Sequence, residues 1–244
     1  MSLYKKIADK AEHNEILFHT GKAVQLLLLR LKEMTSFGRS RVIENYLRSH
    51  PVGKLQLGSG PKLLDGWLNT DCSLFFQGKC FLDAKRPFPF EDKTFNYVFA
   101  EHLIEHLTYP KGVAMLRECH RVLKPGGSIR VASPDLHILA GLYTPEKTEA
   151  QKQFIKTMVD NWLPDIRIYK ESFVINNSVR NWGHKFIYDQ ETLTAAMESV
   201  GFTEVTRFNP CESNDPNLQG LESHGPGNEA KCFETLVLQA KRPA

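Results

Sequence analysis

The chain lacks most of the features that assign a protein quickly. Its five cysteines (72, 80, 119, 211 and 232) are odd in number, scattered and without a C-x-x-C pair. That excludes a disulfide framework and a cysteine-rich zinc module, and it fits a reducing, cytoplasmic setting. Long apolar runs are missing as well. "AVQLLLLRL" is broken by Gln25 and Arg30, well short of the roughly 20 residues that a transmembrane helix needs. No signal-peptide pattern follows Met1, so no transmembrane or secretory segment is expected. Charge of one sign is also scarce: a formal net charge of +3 is far below the concentrated basic footprint of a nucleic-acid binder, so no nucleic-acid partner is expected. The small excess sits near the start, where residues 1–54 hold ten Lys/Arg against five Asp/Glu, as on a solvated basic helix face. The dinucleotide fingerprint is absent too, because the third glycine of G-x-G-x-x-G falls on Leu63, and no P-loop is present.

What remains is a chain of 244 residues, 41% hydrophobic, long enough for one α/β domain with an extension. Residues 3–35 have helical character, with Val24, Leu27, Leu28 and Leu31 on one stripe; "SFGR" reads as the end of that helix and "VIENYLRSH" as another. Residues 1–50 are therefore expected to form a helical cap, with a membrane-surface or homodimer-forming helix as the alternative. From Lys54 the period changes. "KLQLGSG", "WLNTD", "KCFLD" and "FNYVFA" read as strands, and a helix follows with Val113, Leu116, Cys119 and Leu123 on one face. "KPGG" closes that helix before the strand "SIRVAS". Strand, glycine turn, strand, helix, strand is the grammar of a parallel sheet covered by helices. Residues 136–185 are less orderly and are expected to face substrate. Thr144 and Pro145 open a helix running to about Trp162, and the segment after it shows little periodicity. Asp189 caps a helix terminated by Gly201, and "FTEVTRF" and "ETLVLQAKR" read as strands around a long Asn-, Pro-, Gly- and Ser-rich loop.

In a doubly wound sheet the ligand lies outside the carboxyl ends of the strands. Those ends carry Gly58-Ser59-Gly60, Asp71, Asp83, Ala100 to His102, and Ser133-Pro134-Asp135. Glycines after the first strand admit a ligand that a Cβ would push away, and an acid after the second can accept both hydroxyls of a ribose. With a further acid for an adenine amino group, the list describes an adenosine-containing cofactor.

The residues "LQLGSG", Asp71, "LDAKRPFPFEDKTFNYVFAEHLIEHL" and "ECHRVLKPGGSIRVASPD" resemble the class I S-adenosylmethionine-dependent methyltransferases of the small-molecule branch. "LDGWLNTD" and "NWGHKFIYDQETL" resemble bacterial methyltransferase-like proteins associated with surface-polysaccharide synthesis. The resemblance implies a Rossmann-like, doubly wound, mostly parallel α/β sheet over residues 51–244, with an antiparallel C-terminal strand. It implies S-adenosylmethionine as cofactor, held by Gly58, Ser59, Gly60, Asp71, Asp83, Ala84, Ala100 and Glu101. It further implies methylation of a small-molecule or saccharide acceptor. Two positions depart from the family: Gln56 stands where an acid is usual, and Gly60 to Asp71 is a short connection.

His102, His184 and Asp135 are the candidate bases for an acceptor hydroxyl. Each has a structural alternative: His102 bonding the turn backbone, His184 bracing Trp182, and Asp135 capping a helix. The stretch His102-Leu103-Ile104-Glu105-His106 also matches H-x-x-E-H, a zinc-hydrolase pattern. Pro110 interrupts the single long helix that such a site needs, so no metal is expected, and Glu105 and His106 are read as structural. A non-catalytic cofactor-binding scaffold is the alternative function.

Overall fold

The computed structural model describes residues 36–72, 79–163, 165–222 and 229–244; the helix expected over 3–35 lies outside them. The chain divides into two compact units, residues 1–48 and 49–244. In the first, helix α1 (Ser36–Ser49) begins within "SFGR", so the break expected there is instead helical. Gly38 is tolerated in it at roughly the 1 kcal/mol that glycine costs a helix.

In the second unit, strands β1 (Lys54–Leu57), β2 (Leu68–Asp71), β3 (Cys80–Phe81), β4 (Phe95–Glu101), β5 (Leu123–Pro134), β6 (Thr203–Phe208) and β7 (Thr235–Lys241) form one sheet of order β3-β2-β1-β4-β5-β7-β6. Every pair from β3 to β5 is parallel, and β7 runs antiparallel to both its neighbours. This is the Rossmann-like doubly wound sheet expected from the sequence. The strand order reverses between β1 and β4, which places a crevice outside their carboxyl ends. Leu55, Leu57, Val98, Phe99, Ile129 and Val131 are wholly buried, as strands covered on both faces require.

Helix α2 (Tyr109–Val122) carries Pro110 in its first turn, where a missing N–H costs nothing, so this proline starts a helix rather than interrupting one. "KPGG" does not lie between helix and strand, because β5 already begins at Leu123 and includes it. Helix α3 (Leu136–Ala140) precedes α4 (Glu149–Trp162). The start of α4 is set by a capping box between Thr148 and Gln151, not by Thr144 and Pro145. Helix α5 (Glu171–Arg180) falls in the segment read as aperiodic. Its buried stripe is Val174, Asn177 and Ser178, and two polar residues in the stripe conceal the helical period. These helices share a small core of Leu139, Phe154, Met158, Val159, Val174 and Ile187.

Helix α6 (Gln190–Glu198) is capped as expected, Asp189 accepting the Thr192 N–H at 2.8 Å, and α7 (Glu229–Glu234) leads into β7. The loop after β6 is tied down by a wholly buried ion pair: Arg130 of β5 donates to both carboxylate oxygens of Glu222 at 2.6 and 3.0 Å. Leu218 and Leu221 from that loop cover Trp67 and Phe99.

Candidate functional site

A cavity of about 430 Å³ opens at the sheet's reversal point, within the size range of small-ligand sites. One wall is the turn after β1. Gly58 and Gly60 both hold left-handed backbone (φ +63 and +52), and a Cβ on Gly58 would stand 2.9 Å from the Leu103 side chain. The turn is fastened to β2: the Ser59 N–H donates to the Thr70 carbonyl at 2.9 Å and the Gly60 N–H to Asp71 Oδ2 at 2.8 Å. Gln56 also lines the cavity. Its Oε1 and the Ser59 hydroxyl are buried without a hydrogen-bond partner among the described residues.

Glu101, His102, Glu105 and His106 form a second wall at the end of β4. Glu105 and His106, read as mostly structural from the sequence, face the cavity together with Glu101 and His102. His102 takes a left-handed φ of +47, unusual for a residue with a Cβ, which turns the chain sharply out of the strand. Its Nδ1 lies 3.0 Å from Glu105 Oε1. A carboxylate oxygen accepts, so Nδ1 carries the proton and Nε2 carries the lone pair. Burial alone lowers the His102 pKa, but the hydrogen bond and charge of Glu105, with Glu101 and Glu234 behind, raise it above the ordinary 6.5. His106 is shifted the opposite way: burial is the largest cause, and the neighbouring His184 and His102 add to it against the charge of Glu105.

The third wall comes from the segment between β5 and α6. Trp162 ends α4, and Trp182 meets it edge to face with ring centroids 5.3 Å apart. His184 follows Trp182 and Gly183, both left-handed at φ +58 and +79, and its Nδ1 donates to the Ser178 carbonyl. The Lys185 and Phe186 N–H groups both donate to the Glu105 carbonyl, at 2.7 and 3.2 Å, and this binds the segment to the end of β4. The result is His184 packed on His106, ring centroids 4.8 Å apart.

The other expected residues stand away from the cavity lining. Asp71 accepts the N–H of the cavity-lining Gly60, and Lys79 Nζ lies 3.9 Å from its carboxylate. Asp83 accepts the Lys85 N–H at 3.0 Å, and Ala84 is buried beside it. Asp71 and Asp83 end neighbouring parallel strands and act on one thiol: burial, then Asp71, then Asp83 push the Cys72 pKa up. Ala100 is buried inside β4. Asp135 is buried, accepts the His137 N–H at 2.9 Å as the cap of α3, and pairs with Arg207 at 2.9 Å. Sequence reading missed Gln56 as a cavity acceptor and the Trp162–Trp182 pair. Only "NWGH" beside an aperiodic segment signalled the pair.

Residues 79–131 match the family described as a methyltransferase domain. No curated protein matches the chain. Among solved structures, the chain is similar to an S-adenosylmethionine-dependent methyltransferase from Mesorhizobium loti, at 15% identity and TM-score 0.48, over 80% of this chain and 95% of that one. It is also similar to phosphoethanolamine N-methyltransferase 2 from Haemonchus contortus, at 14% identity and TM-score 0.44, over 79% of this chain and 49% of that one. The chain spans about half the length of that enzyme and of the similar CurJ carbon methyltransferase, of which it covers 49%. No helix among the described residues is long and apolar enough to cross a membrane. The family match and the sheet agree with the enzyme class and cofactor that the sequence resemblance implied, an S-adenosylmethionine-dependent methyltransferase.

Proposed function

We propose that the chain methylates an oxygen of a small-molecule or saccharide acceptor, such as a surface-polysaccharide precursor, bound in the 430 Å³ cavity. The observation that carries this reading is the meeting, in that one cavity, of the Gly58–Gly60 turn, the His102–Glu105 pair and the Trp162–Trp182 pair.

The cavity fits the cofactor. Gln56 Oε1 and the Ser59 hydroxyl are buried polar atoms that a polar ligand satisfies, and the bare Gly60, where a Cβ would meet nothing within 4 Å, leaves the backbone approach open. Gln56 offers an acceptor for an amino group where the resembling family has an acid. Asp71, whose Oδ2 already accepts the Gly60 N–H, and Asp83 stand outside the cavity lining, at the end of β2 and beyond β3, and would offer acceptors to a ribose and an adenine amino group. When bound, S-adenosylmethionine supplies a methyl group on a cationic sulfur that leaves as a neutral thioether.

Holding an acceptor in line with that methyl provides much of the rate, since well-oriented partners gain roughly 7–11 kcal/mol. His102 does the proton work: Glu105 fixes the proton on Nδ1, and Nε2 takes the acceptor's hydroxyl proton as the oxygen attacks. His184 spends its Nδ1 proton on the Ser178 carbonyl and flanks the acceptor. Asp135 caps α3 and holds Arg207, a positioning task. The exposed faces of Trp162 and Trp182 suit the apolar C–H face of a sugar ring.

The test is turnover with labelled cofactor on a panel of hydroxyl, amine and carbon acceptors that includes sugars. Label on a sugar or other hydroxyl supports the reading. Label only on nitrogen or carbon overturns the oxygen assignment, and cofactor binding with no transfer to any acceptor favours the scaffold alternative.

A further inference from the structure

We infer that Glu105, His106 and His184 form a divalent-cation site in the cavity wall, suited first to zinc. One ligand atom from each lies within 4.8 Å of the other two. Zinc binds nitrogen and carboxylate oxygen at about 2.0–2.2 Å, so two ligand atoms of a tetrahedral site stand roughly 3.4 Å apart. Small side-chain rotations close that difference.

Three independent features point to a cation here. First, Glu105 is wholly buried, and while Oε1 meets His102, Oε2 has no hydrogen-bond partner among the described residues. No lysine or arginine among the described residues forms an ion pair with it. A buried carboxylate oxygen left this way is a ligand lacking its counter-charge. Second, His184 is oriented as a metal ligand is: it gives its Nδ1 proton to the Ser178 carbonyl, and the His106 ring packs against it with centroids 4.8 Å apart. An imidazole with one nitrogen fixed by a backbone bond presents the other as a lone pair. Third, the set is built and not incidental. The consecutive left-handed residues Trp182 and Gly183, and the two N–H groups that Lys185 and Phe186 give to the Glu105 carbonyl, bring His184 across to the end of β4.

Two histidines and one carboxylate, all facing a cavity, leave the fourth position of a tetrahedral zinc open to an exogenous oxygen. This differs from the inverted zinc-hydrolase pattern, where both histidines of H-x-x-E-H bind and the glutamate is a base. Here His102 is not a ligand; it braces Glu105 from outside. On the acceptor reading above, the open position takes the acceptor hydroxyl and lowers its pKa. The site itself does not depend on that reading.

The test is a calorimetric titration of the full chain, stripped with chelator, with zinc alone and no S-adenosylmethionine, so that its outcome is separate from the methyltransferase reading. One equivalent is expected to bind. Glu105→Gln and His184→Asn should each weaken it by more than the ten- to hundredfold that loss of a merely supporting contact costs. His137→Ala, at an exposed histidine, should leave it unchanged. Absence of stoichiometric zinc binding overturns the site, and so does binding that survives both substitutions, as cysteine ligation would. If either variant loses its thermal unfolding transition, cobalt(II) in the wild-type chain decides: visible bands of a four-coordinate ion with two paramagnetically shifted histidines support the site, and shifted histidines numbering none overturn it.

Discussion

Two of the cavity's three walls are held by different means. On the β1 side every placement is local. Gly58 and Gly60 turn because no Cβ forbids it, and one backbone and one side-chain bond tie them to the adjacent β2. On the side of the β5–α6 segment, placement is tertiary: His184 and Trp182 reach the cavity only because the backbone beyond them hydrogen-bonds the Glu105 carbonyl. On the proposed function, a cofactor common to many enzymes meets a motif, while the acceptor meets a segment whose position depends on distant partners. The two walls should therefore fail differently when damaged.

The largest effect is expected where the walls meet. His102→Ala should cut turnover by about 10²–10⁴-fold, the worth of a positioned base, while calorimetry shows cofactor affinity nearly kept. Unchanged turnover removes His102 from the chemistry. On the cofactor wall, Asp71→Ala should weaken cofactor binding by roughly ten- to a hundredfold, as loss of charged hydrogen bonds at about 1.5–3 kcal/mol gives. Wild-type affinity sinks the ribose assignment.

A steric contact, added to backbone strain that both share, separates two nearby glycines. Gly58→Ala meets both a left-handed φ and the Leu103 side chain at 2.9 Å, whereas at Gly60 a Cβ finds nothing within 4 Å. Strain alone costs about 1–2 kcal/mol, so Gly60→Ala should lower Tm by several degrees and Gly58→Ala by clearly more. Equal melting curves break the argument. On the acceptor wall, Trp182→Ala should raise the acceptor KM several-fold, from roughly 0.5–1.5 kcal/mol of aromatic contact, and leave cofactor affinity alone. A change in cofactor affinity instead places Trp182 on the wrong wall.

The same division decided what the sequence made legible. Alternation and strand-ending glycines and acids located the seven strands of the sheet, and Gly58, Ser59 and Gly60 line the cavity. Helix α5 was hidden because its buried stripe spends two positions on Asn177 and Ser178, whose polarity masks the period. The tract His102–His106 reads as a strand end and a short turn, and the chain forms a three-residue 3-10 turn, Ile104–His106, after a left-handed His102. That turn faces both Glu105 and His106 into the cavity. No local pattern could show that the Lys185 and Phe186 amides would deliver His184 to them.

The smallest effect concerns the proton on His102. Burial opposes its charging, yet the Glu105 carboxylate at 3.0 Å and the charges of Glu101 and Glu234 outweigh burial and hold its pKa above 6.5. The base must be neutral to accept a proton, so turnover should fall as pH drops through that raised value and level off above it. Glu105→Gln removes the charge and keeps the shape. In metal-free protein, the proton-NMR titration of the His102 ring should then move to lower pH, because burial is left with less to oppose it. A titration that stays put, or moves up, means that Glu105 does not set the basicity of His102, and the acid limb of the rate profile must then belong to another group.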